Sequence, residues 1–500
     1  MNQDGSSRFG SRAFRGGAAR LISYSASFLL KTGATVVLAR VLDPTAYGLV
    51  GMVAVVVNFL GLFKDIGLSS ATIQRENLTR RQLDSLFWLN LIVSAVVALF
   101  AACLSPLLAW FYGESRVFWI TMALAPGFVF AGLGIQHQAL LAREMRFERM
   151  AVVELSATAL SLAVALTAAL LGAGYWALVL QQMSSALAVT LGFWLVNSWR
   201  PRMVLNLREI RELVGFGANL TGFNVLNYFS RNSDNFLIGK FWGAVELGLY
   251  SKAYSLFLLP LGQLNAPLQS VALSTLSRLS TEGPRYRRAY QRLVEKICML
   301  AMPLVAFMFA TNDWIIRLLL GNQWVAAGPM FAALCIAGLA QPVANSTGWL
   351  FMSQDRTREM LNWGAVGSAL SVLSIVVGVP WGGLGVATSY AVSAVLIRDP
   401  LLFWFAGRKG PVSFLDFYRF MMPGLLGAVA VCGAVLALRQ FPLSSNVFFN
   451  LVITGSAGTV ATMFIYLILP QARQALRDLR ETALTVFLES RTAVRNAVKN

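Results

Sequence analysis

Apolar runs of about 18 residues or more recur along nearly the whole chain, each long enough to cross a hydrocarbon core of about 30 Å as a helix. No other feature constrains the fold as strongly. A loop or open sheet edge in hydrocarbon leaves main-chain polar groups unpaired, so runs of this length require helices that satisfy their own backbone. Composition agrees: 57% of the 500 residues are hydrophobic and 13% charged, against about 25% charged in soluble domains. The expected class is an all-α integral membrane protein.

Breaks at charges, prolines and Gly/Asn/Asp clusters give about fourteen spans, near 17–39, 45–65, 85–112, 116–140, 150–172, 174–196, 212–238, 246–275, 293–318, 325–351, 358–380, 382–405, 415–438 and 447–469. Alternate gaps are basic. One set holds Arg75, Arg80 and Arg81; Arg143, Arg146 and Arg149; Arg200, Arg202, Arg208 and Arg211; Arg278 through Arg292; Arg356 and Arg358; then Arg408 and Lys409. The opposite set carries at most one or two cations each, such as Arg40, Arg116, Lys240 and Arg439, and some gaps, such as Gly172 to Tyr175, carry none. The positive-inside rule makes the basic gaps cytoplasmic, and both termini with them.

The net charge of +18 therefore reflects topology. A nucleic-acid binder gathers its cations on one domain, and here they sit between apolar runs. Arg8, Arg12, Arg15 and Arg20 before an apolar stretch resemble a signal peptide, but that stretch runs to Ala39 and contains Lys31, which fits a retained first span.

The expected periplasmic gaps are short, which disfavours a membrane glycosyltransferase or polymerase, whose chemistry needs a folded loop of carboxylates or arginines. No phosphate-cradling Gly-rich loop followed by Lys-Ser/Thr is found, so ATP is not the expected energy source. Cys103, Cys298, Cys335 and Cys432 fall in separate apolar runs without paired spacing, and His137 is the sole histidine. Packing roles outweigh metal binding for all five. No cofactor or metal is expected, and the reading is not an enzyme.

The halves repeat. Ala39 to Leu49 aligns with Gly239 to Leu249 at an offset of 200, matching Arg40 with Lys240 and Gly48-Leu49 with Gly248-Leu249. Weaker matches follow at offsets of 206 and 208. Six spans per unit make the repeats parallel, as in transporters with two lobes around a central cavity. The expected organisation is a cytoplasmic segment at 1–16, an N-lobe with its linker at 17–210, a C-lobe at 211–409, two further spans within 410–469, and an amphipathic cytoplasmic tail at 470–500 on the anionic inner leaflet.

Several stretches carry a family resemblance: Leu38-Ala39-Arg40-Val41-Leu42-Asp43-Pro44-Thr45-Ala46-Tyr47-Gly48-Leu49-Val50, Asp65 to Ala71, Leu86-Phe87-Trp88-Leu89-Asn90, Asn227 to Asn235, Gly248 to Tyr254 and Leu318 to Trp324. From about residue 10 to 410 the chain resembles the polysaccharide-transport flippases of the multidrug/oligosaccharidyl-lipid/polysaccharide exporter superfamily, nearest to exporters of the colanic-acid type. The resemblance implies an inner-membrane protein with a cavity opening alternately to each side. It also implies an undecaprenyl-pyrophosphate-linked repeat unit as substrate, handed on to a periplasmic polymerase and export machinery. A drug/cation antiporter of the same superfamily and an assembly partner without transport are the rivals.

An ionisable residue at membrane depth normally faces a cavity or a partner. Lys31 lies within the first span and Arg231 at the equivalent position of the seventh, so pseudo-symmetry sets both on one cavity, where they fit a pyrophosphate anion. Two simpler readings remain: Arg231 pairs with Asp234, or Lys31 snorkels. Asn224, Asn227, Arg231, Asp234 and Asn235 share one helix face. Asn224, Asn227 and Lys252 complete the candidate substrate-binding set. Gln263, Asn265, Gln269, Gln341 and Asn345 are further polar candidates for sugar hydroxyls. For coupling to H+ or Na+ the carboxyls are Asp234 first and Glu154 next, with Asp313 and Asp399 behind them.

Overall fold

A computed structural model describes residues 30 and 32–477, apart from 65–68, 70–71, 74, 76–77 and 442–443; the side chains of 207–227, 229–230, 264–268 and 270–271 also lie outside the description. The described residues are overwhelmingly helical and contain no strand. A short helix, α1 (Thr32–Val41), opens them. It is followed by α2 (Pro44–Gly61), α3 (Arg80–Tyr112), α4 (Arg116–Leu124), α5 (Pro126–Arg143), α6 (Phe147–Leu170), α7 (Trp176–Val196) and the long α8 (Leu207–Arg278). Beyond these lie α9 (Gly283–Ala310), α10 (Asn312–Leu319), α11 (Gly328–Gly338), α12 (Gln341–Ser353), α13 (Thr357–Gly378), α14 (Gly382–Ser393), α15 (Asp399–Gly407), α16 (Phe414–Leu438) and α17 (Val447–Ile468).

Local chemistry sets the helix ends. Asp43 caps α2 by accepting the Ala46 N–H at 2.9 Å, with Pro44 at the first helical position. Thr79 and Gln82 form a reciprocal capping box that opens α3, and Gly113 in the left-handed region (φ 68°) closes it. At 33 residues, α3 is longer than a bilayer crossing requires. The burial pattern is that of a protein in lipid. Leu99, Trp110 and Leu195 are 67%, 77% and 84% exposed, whereas Asn90, Ser94, Gln136 and His137 are fully buried.

Among the described residues, nine helical stretches are long and apolar enough to cross a membrane, or ten if the pair Asn322–Gly338 and Gln341–Ser353, bent by 41°, is one broken span. One stretch, Thr357–Gly407, has 51 residues, far more than one crossing needs. It folds back at Gly382 (φ 73°), and α13 and α14 meet so closely that a Cβ on Gly378 would lie 2.4 Å from the Gly385 carbonyl oxygen. Two expected spans are thus one hairpin. Likewise α8 breaks at Gly243 (φ 79°, ψ −171°), inside the gap expected between the seventh and eighth spans. Most of the first expected span lies outside the described residues, α8 over the expected seventh and eighth is not among the stretches counted, and the hairpin counts once, so the total does not reach fourteen.

The chain divides into two compact units, Met1–Leu249 and Tyr250–Asn500. The first therefore includes the arm of α8 before Gly243, which the repeat reading assigned to the second lobe. Packing explains this: the Tyr228 hydroxyl donates to the Val55 carbonyl of α2 at 2.5 Å, and its ring lies 5.7 Å from Phe59. The crossing of α8 over α2 is reciprocal. A Cβ on Gly48 would stand 1.6 Å from the Ala244 carbonyl oxygen, and one on Gly248 would stand 2.0 Å from that of Pro44. Pro44 and Ala244, like Gly48 and Gly248, are separated by the repeat offset of 200. The glycine pair seen as a sequence repeat is thus a pseudo-symmetric point of closest approach.

The segment after α7 is strapped down. Trp88 Nε1 donates to the Arg202 carbonyl at 2.7 Å, the Arg202 N–H donates to Asp84 Oδ1 at 3.2 Å, and the Asn206 N–H donates to Ser85 Oγ at 3.0 Å. In the second unit α9 is the most buried span. The hydroxyls of Tyr286 and Tyr290 bond Ser353 and Ser346 of α12 at 2.7 and 2.6 Å. Tyr466 of α17 donates to the Met299 carbonyl at 2.8 Å, and Arg287 grips Asp416 of α16 through two guanidinium nitrogens.

Candidate functional site

Arg231 lies on the first arm of α8, 24 residues from Leu207, or about 36 Å along the helix. Its side chain is exposed. It makes no ion pair with Asp234, and no other described residue pairs with it. Asp234 is turned inward, 5% exposed, with Oδ1 accepting the Asn235 N–H at 2.7 Å. The simpler reading, in which Arg231 is consumed by Asp234, is not the arrangement seen. Tyr228, one turn before, fixes this face of the arm against α2.

Lys31 lies outside the described residues, as do the side chains of Asn224 and Asn227. Lys252 is half-buried on the second arm of α8, in the second unit, its carbonyl accepting from Ser255 Oγ at 3.0 Å. Glu154 is exposed on α6; Thr158 Oγ1 donates to its main-chain oxygen at 2.7 Å, and no described cation pairs with its carboxylate. The remaining carboxyls have partners. Asp313 accepts from Arg439, whose guanidinium stacks 4.2 Å over Trp314. Asp399 lies 3.6 Å from Arg398, which also donates to Ser371 Oγ at 3.1 Å and covers Tyr390 at 4.6 Å. Gln341 and Asn345 bond each other at 2.9 Å.

His137 is buried and stacks on Trp194 at 4.5 Å, with Trp199 and Phe87 around it. No cluster of metal-binding groups occurs among the described residues.

Two hollows were missed by sequence reasoning. One, of about 370 Å³, lies in the first unit and includes Asn58, Lys64 and Gln182 in its lining. The other, an apolar groove of about 460 Å³, runs along α9, α16 and α17 past Phe307, Val431 and Met463. Asn58 is an isolated amide in an apolar helix, and Gln182 sits in the short Gln181-Gln182-Met183-Ser184-Ser185 run without a longer periodic polar face, so neither drew notice.

The backbone matches the lipid II flippase MurJ in an inward closed conformation at a TM-score of 0.72, over 89% of this chain and 97% of that one, with 13% identity. It matches a multidrug resistance MATE family transporter of the MOP superfamily, inward-facing, at 0.62, over 79% and 96%, with 14% identity. The class is therefore a multi-pass helical membrane protein with the fold that these two share. A family model described as polysaccharide biosynthesis protein matches residues 37–329, and the chain belongs to that family. The teichuronic acid biosynthesis protein TuaB of Bacillus subtilis (strain 168) is 27% identical, covering 81% of this chain and 85% of its own. The lipopolysaccharide biosynthesis protein WzxC of Escherichia coli (strain K12) is 23% identical over 72% and 74%. The succinoglycan biosynthesis transport protein ExoT of Rhizobium meliloti (strain 1021) is 26% identical over 66% and 67%.

Proposed function

We propose that the chain flips undecaprenyl-pyrophosphate-linked oligosaccharide repeat units across the bacterial inner membrane by ion-coupled alternating access. Relatives named for teichuronic acid, lipopolysaccharide and succinoglycan support the substrate class. The observation that carries the reading is Arg231: a guanidinium within the expected seventh span, exposed and without a counter-ion among the described residues. Such a group costs several kcal/mol in hydrocarbon, so it belongs in a wet cavity awaiting an anion. A pyrophosphate supplies that anion and accepts the bidentate geometry that arginine offers. The same cation disfavours a drug/cation antiporter, whose cavity would be acidic.

Lys31, Asn224, Asn227 and Lys252 remain the proposed companions of Arg231. Asp234 and Glu154 are the proposed carriers of H+ or Na+, Asp234 because it is buried one turn from the anion site and Glu154 because it is exposed with no partner among the described residues. Both termini are cytoplasmic in this scheme, two lobes surround the cavity, and the flipped product passes to a polymerase and export machinery. Deleting the gene tests the reading: the cell should accumulate lipid-linked repeat units on the cytoplasmic face. Unaltered polymer output with no accumulation would remove it.

A further inference from the structure

The hollow of about 370 Å³ in the first unit is lined, among the described side chains, by residues of α2, α4, α5 and α7 and of the segment just past α2. Its lining residues Leu124, Gly127, Phe128 and Ala131 fall in the middle of the Arg116–Arg143 candidate span, and Gly61, Leu62 and Lys64 lie at and just past the end of α2. Small residues create the space: Gly61, Gly127, Ala131 and Ala186 replace the large side chains that would otherwise fill it. Two amides, Asn58 on α2 and Gln182 on α7, line it from different helices. Both are exposed, and neither side chain makes a hydrogen bond with another described residue. Lys64 joins the lining just beyond the end of α2, with its carbonyl accepting from Ser94 Oγ at 3.4 Å.

An amide turned toward lipid forfeits its hydrogen bonds with water and gains none, so interhelical amides in membranes normally pair. Two unpaired amides from separate helices on one hollow indicate that it holds water or a polar ligand. A pocket of this size, mostly apolar with a few convergent polar groups, is the usual form of a small-ligand site. Each amide offers two donors and an acceptor, which suits vicinal hydroxyls, and Lys64 adds a cation. We propose that this hollow is a saccharide subsite, in which Asn58 and Gln182 bond sugar hydroxyls and Lys64 attracts a negative charge on the same ligand. The inference rests on the flippase reading and assigns the glycan part of its substrate to the first unit.

The test uses Asn58→Cys and Gln182→Cys in full-length protein carrying Cys103→Ser, which removes the exposed native cysteine. Leu99→Cys, on an exposed apolar face of α3, is the lipid-facing control. In proteoliposomes the negatively charged sulfonatoethyl methanethiosulfonate should label positions 58 and 182 and spare position 99. Adding Lys64→Gln should slow that anionic reagent several-fold at position 58 and leave a neutral methanethiosulfonate unaffected. Undecaprenyl pyrophosphate bearing one glucose should protect both positions, and bare undecaprenyl pyrophosphate should protect them less. Absence of labelling at 58 and 182 means that the hollow faces lipid and overturns the proposal. Equal protection by the two lipids, or none by either, removes the saccharide assignment. Polymer export in the deletion strain reads the flippase assignment separately, so accumulation of lipid-linked units without protection here removes the subsite alone.

Discussion

Arg231 stood out in the sequence as a candidate because it is the one cation between Arg211 and Lys240 and because it falls on one face with Asn224, Asn227 and Asp234. Its freedom from Asp234 was not legible, since three-residue spacing on a helix permits an ion pair and only side-chain packing decides whether it forms. In the fold Asp234 is buried and Arg231 exposed, so the arginine keeps its donors for another anion. Arg231→Gln should abolish polymer export with membrane insertion intact, and Arg231→Lys should restore only part of it, because the charge returns without the fork of donors. Immunoblotting of membranes alongside export separates function from expression; full export by the glutamine variant reassigns the residue to packing. Coupling belongs to this scale too. In proteoliposomes an imposed H+ or Na+ gradient should accelerate flipping by the wild type, and Asp234→Asn should lose that acceleration while still binding the lipid-linked substrate. If the gradient response survives, Glu154→Gln is the next variant, since that carboxylate is exposed and without a described partner.

At the scale of elements, the Gly-Leu repeat proved to be a contact as well as a homology signal. Gly48 and Gly248 each admit the other helix's main chain to a distance that no Cβ tolerates. The sequence marked both positions through the offset of 200, but periodicity cannot say that repeated elements cross each other, because that depends on how the two arms of α8 turn at Gly243. Gly48→Ala and Gly248→Ala must push α2 and α8 apart, with an overpacking cost of about 1–3 kcal/mol or more each. Each variant should lower the thermal unfolding midpoint in detergent, whereas Gly33→Ala, with no described atom near its Cβ position, should not. Wild-type melting of both crossing variants would show that the helices part readily here. Gly243→Ala tests the turn itself: at φ 79° and ψ −171° an alanine costs about 1–3 kcal/mol of backbone strain.

For the whole molecule, class and span positions were readable because a hydrocarbon solvent demands long apolar helices and little else. The break at Gly243 falls in an expected gap, that at Gly382 on the first residue of the expected twelfth span, and Asn312–Leu319 continues the ninth span after a break that hydropathy smoothed over. The extent of the first compact unit was not readable, because it follows from Tyr228 and the glycine crossing holding the arm before Gly243 onto α2. Charge alternation predicts opposite compartments for reporters fused at Glu282 and Ala173, and one shared compartment would break the fourteen-span topology.

Transfer itself is the most direct test of the central claim. Purified protein in liposomes is given undecaprenyl-pyrophosphate-linked repeat units, and the fraction reaching the opposite leaflet is read by a membrane-impermeant reagent that modifies only outward-facing glycan. The account predicts transfer that rises with the amount of wild-type protein and returns to the protein-free rate with Arg231→Gln. Wild-type transfer no faster than in empty liposomes, under both H+ and Na+ gradients, would contradict it.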